Sequence, residues 1–207
     1  MSGVIDQARW GICGFVSVLN ALHEDKKLEE FGRELSLAEI HARLTAEVIT
    51  FLKITEQTRP ELAAEIIRFS KALGGTADSI AELCGIMKDL VLALDGMDCL
   101  PTGKRGVAVA MPPEGIVAYL EDIGLGALVM RGPYRLDTAS LASLRNCVVG
   151  VGRQEAPDDH GYLKHWVYVN AQGHLLNWAT RLDLTQQPLP SRRAFPFDFI
   201  THVIEIR

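Results

Sequence analysis

The sequence predicts an α+β fold in which helices come first and a mostly antiparallel sheet follows. Three observations carry that prediction. Apolar residues recur at helical spacing through the first half, turn-forming residues cluster from Asp95-Gly96 to Pro101-Thr102-Gly103, and the second half breaks into short β-prone runs ending in a hairpin pattern. The chain has 207 residues, 48% of them hydrophobic and 23% charged, enough for one well-filled core. The expectation is a single domain spanning 1–207, with a helical lobe over about 1–100 and a β-rich lobe over about 101–207.

The elements follow in order. Gly11 to Leu22 is apolar and free of proline, with Gly11 and Gly14 at its start. Ser36 and Glu39 form a capping box for a second helix, whose inward stripe runs through Leu37, Ile40, Leu44, Val48, Phe51 and Leu52. Arg59-Pro60-Glu61 opens a third, which Gly74-Gly75 stops. Thr76 to Leu94 reads as a fourth, with Ile80, Leu83, Cys84, Met87 and Val91 on one side. Beyond the turns come a strand over Gly106–Ala110, a helix over Pro113–Ile123, a strand over Ala127–Met130 and a helix over Ala139–Leu144. A strand at Cys147–Val151 precedes a polar loop through Asp158-Asp159-His160-Gly161. The hairpin then pairs 165–170 with 174–178 across Ala171-Gln172-Gly173, and Phe199–Ile206 closes the chain as a strand.

Composition excludes several classes of function. Twenty-one basic against twenty-six acidic residues leave a net charge of −5, the wrong sign for a nucleic-acid partner. No stretch approaches the ~20 apolar residues that cross a bilayer, so no membrane role is expected. Cys13, Cys84, Cys99 and Cys147 contain no C-x-x-C pair, which argues for reduced thiols in a cytosolic setting rather than a disulfide scaffold or zinc site. The N-terminus does not read as a signal peptide, so any release from the producing cell is expected to use a specialised machine. Gly103-Lys104-Arg105 lacks the Ser or Thr of a phosphate loop, and His160 with His165 lacks the spacing of a zinc pair. Neither metal nor cofactor is expected.

One constellation carries chemistry. A cysteine nucleophile acts as a thiolate, and a helix N-terminus or a nearby imidazolium lowers its pKa. Cys13 opens an apolar helix, and Gly14 after it is expected to leave room for a substrate carbonyl. His165, at the start of a strand, is the candidate base. With a three-residue loop at 171–173, Asn177 lies opposite Val167 and on the same face as His165, where it can orient the imidazole; a two-residue loop would turn it away. Asp183 and Asp159 are the alternative orienting groups. Gln7, six positions before Cys13, can donate its amide to an oxyanion. Cys84 and Cys147 read as core residues, and Trp166 as a packing residue at or under the site.

The strings Gln7-Ala-Arg-Trp-Gly-Ile-Cys13-Gly-Phe, His165-Trp-Val-Tyr-Val and Asn177-Trp178 resemble the papain-like cysteine peptidases. The short hairpin and compact second half are similar to the bacterial branch that includes bacteriocin-processing peptidases and toxin effectors injected by secretion systems. The resemblance covers both ends of the chain and is poor over residues 28–100. It implies a two-lobed papain-like fold with Cys13 as nucleophile, His165 as base, Asn177 as orienting residue and Gln7 in the oxyanion hole. It also implies a protein substrate, a cognate immunity or inhibitor protein, and delivery from the producer's cytoplasm into competing cells. The same residues would serve a protein glutamine deamidase or a transglutaminase-like enzyme, and a non-catalytic binding module is the third reading.

Overall fold

In the computed structural model, which describes residues 11–24, 37–94, 109–153, 162–177 and 180–207, the first helix is also the most enclosed. Helix α1 (Cys13–Glu24) buries Phe15, Val18, Leu19, Ala21 and Leu22, together with Ser17 and Asn20. A helix apolar on nearly every side belongs inside a core, not on one. In the same core lie α2 (Leu37–Thr58), α3 (Pro60–Ala72), α4 (Ile80–Leu94) and α5 (Pro113–Asp122). Phe15 of α1, Phe51 of α2 and Tyr119 of α5 meet edge to face at centroid distances of 5.0–5.4 Å, and the Tyr119 hydroxyl donates to Glu47 Oε1 at 2.9 Å. Such a trio holds three helices by large apolar area and by ring geometry.

Helix α4 begins later than the Thr76 that periodicity suggests. Ser79 Oγ accepts the Glu82 backbone N–H at 3.1 Å, and the Glu82 carboxylate accepts the Asp78 N–H at 2.8 Å. These reciprocal bonds satisfy the first free donors of the helix and set its start at Ile80. The strand expected at Gly106–Ala110 does not form in its described part. The Ala110 N–H donates to Ser70 Oγ at 2.9 Å, and the Met111 carbonyl accepts the Trp166 indole N–H at 2.8 Å, so side chains take the place of a ladder. The proposed cap residue Ser36 and residues 106–108 lie outside the described residues.

Among the described residues the sheet has six strands: β1 (Ala127–Arg135), β2 (Cys147–Gly152), β3 (Leu163–Val169), β4 (His174–Asn177), β5 (Thr180–Asp183) and β6 (Phe199–Ile206). A short helix, α6 (Thr138–Ala142), follows β1, with Asp137 capping it through the Ser140 N–H at 2.8 Å. The spatial order is β1-β6-β2-β3-β4-β5, with every neighbour antiparallel. The fold is therefore mixed helix and antiparallel sheet. Strand β1 runs past Met130 because the register shifts between Arg131 and Tyr134, absorbing a Gly-Pro pair that reads as a turn; an edge strand tolerates the missing proline N–H. Strand β5 was not expected. It is a short polar strand at the opposite edge, where no alternation of apolar residues is needed.

The central strand β2 is buried on both sides. Its Val148 joins the core that contains the helices, along with Trp166, Tyr168, Leu176 and Ile204. Its Cys147, Val149 and Val151 face a second core with Val167, Val169, Leu175, Ile200, Phe195 and Phe197. Consecutive residues of β3 thus serve different cores.

Gly14 anchors α1 to this assembly by what it lacks. A Cβ there would lie 2.8 Å from Ile116 Cδ1 and 2.9 Å from Met111 Cβ, both on fully buried side chains. The space that the sequence suggests for a substrate carbonyl is filled at this α-carbon by α5 and the segment before it. Gly14→Ala is therefore expected to cost about 1–3 kcal/mol through overpacking, despite the better helix propensity of alanine. Gly85 in α4 has nothing within 4 Å of its would-be Cβ, so Gly85→Ala should stabilise by roughly 0.5–1 kcal/mol. Chemical denaturation of the two variants checks both signs.

Candidate active site

Cys13 is the first residue of α1, where the helix presents unpaired N–H groups and the positive end of its dipole. The backbone N–H groups of Trp166, Gly14 and Cys13 itself lie near the sulfur and favour the thiolate. Burial outweighs them and pushes the thiol up to about 11. The expectation of a lowered pKa at this helix start is thus reversed: the residue keeps partial exposure, but its sulfur sits among enough protein to lose most of its hydration. The Trp166 N–H reaches the sulfur from β3, the strand against which α1 packs.

His165 is the third residue of β3, not its first, and is 7% exposed. An irregularity re-aims the strand just before it. Val151 pairs with His165 but Gly152 pairs with Leu163, so β3 carries one extra residue, Lys164. On the other side of β2 the pairing jumps from His202 to Ile200, leaving Thr201 as the extra residue of β6. Paired bulges at one end of a sheet bend it locally and change which way side chains point. The chain enters β3 through Tyr162 at φ +73, a left-handed conformation that costs a non-glycine residue of order 1 kcal/mol.

The hairpin loop settles the position of Asn177. The Asn170 N–H donates to the His174 carbonyl at 3.0 Å and the Gly173 N–H to the Asn170 carbonyl at 3.0 Å, with Gly173 at φ +82. The loop therefore has three residues, 171–173, closed by a glycine in the left-handed region. Tyr168 then pairs with Leu176 and Val169 with Leu175, which sets Asn177 across from Val167. Asn177 Oδ1 lies 2.7 Å from His165 Nε2. A carbonyl oxygen only accepts, so Nε2 carries the proton and Nδ1 is the nitrogen left to act as a base. Phe197 stacks on the imidazole with a centroid distance of 5.5 Å and an interplanar angle of 7°.

Burial lowers the imidazole to about 4, and the bond to Asn177 offsets only part of that. Thiol and imidazole thus stand about seven pH units apart, roughly 9 kcal/mol against the ion pair. The resting pair is neutral thiol and neutral imidazole.

The other candidates separate clearly. Gln7, Trp10, Cys99, Asp159, His160 and Trp178 lie outside the described residues. Asp183 does not meet His165; it accepts from the Thr185 N–H at 2.9 Å and hydroxyl at 2.6 Å, and lies 3.9 Å from His174 Nε2. Cys84 and Cys147 are buried core thiols, and Trp166 is a core residue whose indole holds Met111. Among the described residues no group of three His, Cys, Asp or Glu side chains could hold a metal ion. A groove of about 420 Å³ on α3, α5 and β1, lined by Arg59, Leu62, Val117, Val129 and Arg131, includes none of Cys13, His165 and Asn177. Phe197 was missed by sequence reasoning, since nothing in Phe195-Pro196-Phe197 signals an imidazole 32 positions earlier.

The lowered His165 pKa has a consequence for stability. The unfolded chain takes up this proton near pH 6.5 and the folded chain only near 4, so the contribution is complete above about 6.5 and is lost as pH falls toward 4. Between pH 7.5 and pH 5 the wild type should lose about 2 kcal/mol more unfolding free energy than His165→Gln. Urea titrations at the two pH values measure the difference. Comparison of the chain with protein-family models, with curated proteins and with solved structures finds no match.

Proposed function

We propose that this protein is a papain-like cysteine peptidase that hydrolyses amide bonds in protein substrates. The observation that carries the reading is the 2.7 Å bond between His165 Nε2 and Asn177 Oδ1, made on the strand whose next residue, Trp166, has its backbone N–H near the Cys13 sulfur. Cys13 Sγ attacks the scissile carbonyl as His165 Nδ1 removes its proton. The imidazolium, held in orientation by Asn177, returns that proton to the leaving amine. Water then enters, is deprotonated by His165 and releases the acid from the thioester. The oxyanion is held by the Cys13 backbone N–H and by the Gln7 amide, the latter on family resemblance alone. The same resemblance extends the proposal to a toxin effector restrained by an immunity protein.

The neutral resting pair decides the form of the mechanism. With the thiolate disfavoured, proton transfer must accompany attack, as in a serine hydrolase, and must draw on the bound substrate to exclude water. The same burial favours a second reading, a non-catalytic module with Cys13 and His165 as structural residues. The two diverge towards a peptidyl acyloxymethyl ketone, which needs a nucleophile activated beside a base. Labelling is expected at Cys13, with Cys84 and Cys147 unmodified, and should fall ~10²-fold or more in His165→Ala. Equal labelling in that variant, or none in the wild type, favours the binding module.

With casein as substrate, Cys13→Ala is expected to abolish fragment formation, whereas Asn177→Ala leaves a measurable remnant. Gln7→Ala should lower kcat ~10²-fold with little change in KM. Mass spectrometry of the products separates backbone cleavage from deamidation, which adds about one mass unit without fragments.

A further inference from the structure

Beyond the hydrogen bond to Asn177, the imidazole has a second fixed neighbour. Phe197 lies in the chain between β5 and β6, at 8% exposure, with its ring parallel to that of His165. It is itself tied down from β2. The Asp198 N–H donates to the Gly152 carbonyl at 2.7 Å, the Arg153 Nε–H donates to the Pro196 carbonyl at 2.6 Å, and the Arg153 guanidinium carbon lies over the Phe197 ring at 5.8 Å from its centroid. Phe195 meets Phe197 edge on at 5.0 Å, and Arg192 pairs with Asp198. Five contacts thus converge on one short segment, and the segment delivers one flat apolar ring to His165.

We propose that Phe197 is a positioning residue for His165, fixing the plane of the imidazole so that Nε2 stays on Asn177 and Nδ1 serves the Cys13 sulfur. This rests on the peptidase reading above. The physical need is plain. The χ2 torsion of histidine is broad and roughly two-fold, so hydrogen bonds in the plane of such a ring leave it some freedom to rock unless its faces are packed. A parallel ring in van der Waals contact removes that freedom. Phenylalanine does so without a donor or acceptor that would compete for either nitrogen, and it excludes water from that face of the ring.

The test uses the full chain labelled with ¹⁵N at histidine, with Phe197→Leu, Phe197→Tyr and Arg153→Gln as variants. Leucine keeps the apolar volume but not the plane, tyrosine restores the plane, and Arg153 is exposed, so its loss loosens the segment without opening a core. Long-range ¹H–¹⁵N spectra should show a single Nε2–H tautomer of His165 in the wild type and in Phe197→Tyr. A mixture of tautomers is expected in Phe197→Leu, and a smaller admixture in Arg153→Gln. Turnover of casein should follow, with kcat lower by about 10²-fold in Phe197→Leu at nearly constant KM, and within about 3-fold of wild type in Phe197→Tyr. A pure Nε2–H tautomer in both Phe197→Leu and Arg153→Gln overturns the proposal; should the leucine variant not fold, the Arg153→Gln spectrum decides alone. The spectra do not depend on turnover, so a chain without peptidase activity would remove the catalytic reading and still show whether Phe197 orients the ring.

Discussion

The seating of the first turn of α1 on β3 governs everything downstream. Gly14 presses its bare α-carbon into Ile116 and Met111, Met111 holds the Trp166 indole, and the Trp166 backbone lies near the Cys13 sulfur. These contacts form one closed circuit from the helix through the segment before α5 to the strand and back. Each member is small and none is free to move alone, because interiors packed to crystal density have no slack to absorb a displacement. A sulfur twelve residues into the chain is in this way tied to a strand more than 150 positions later.

Enclosure has an electrostatic cost. The fold takes both the thiol and the imidazole out of water, and among the described residues no counter-charge replaces that hydration. The helix dipole and three backbone N–H groups act on the sulfur in the expected direction and are outweighed. A pair held neutral leaves no buried charge for the fold to solvate. Under the proposed peptidase reading it shifts the demand for charge stabilisation to the moment of reaction, where pre-aligned dipoles contribute most.

The helical order, the antiparallel second half and the hairpin were legible in the sequence because each depends on local periodicity and turn chemistry. Asn177 was legible in the same way: once Gly173 closes a three-residue loop, pairing arithmetic sets it opposite Val167. The features that escaped are those created by distant partners. Lys164 and Thr201 become extra residues only because β2 runs between β3 and β6. Phe197 reaches His165 only because Arg153 and Gly152 hold its segment. The Cys13 proton affinity changed sign for the same reason, since burial is a property of the assembled fold and not of the residues flanking a cysteine.

The site occupies the boundary between two cores, and this explains why adjacent residues of β3 have such different duties. Trp166 turns into the helical core and carries, through its backbone, the contact to Cys13. His165 turns the other way, to the side where Val167, Phe195 and Phe197 pack and where Asn177 meets it. Cys13 and His165 are therefore supported by largely separate sets of side chains, one beside each core. A packing defect among the helices moves the sulfur and spares the ring; a defect under Phe197 moves the ring and spares the sulfur. The bulges at Lys164 and Thr201 fall at this same end of the sheet, next to His165 in β3 and between Ile200 and His202 in β6. The irregular pairing thus sets which way the residues at this end of β3 and β6 face, since an extra residue in a strand shifts the alternation of side chains between the two sides of the sheet.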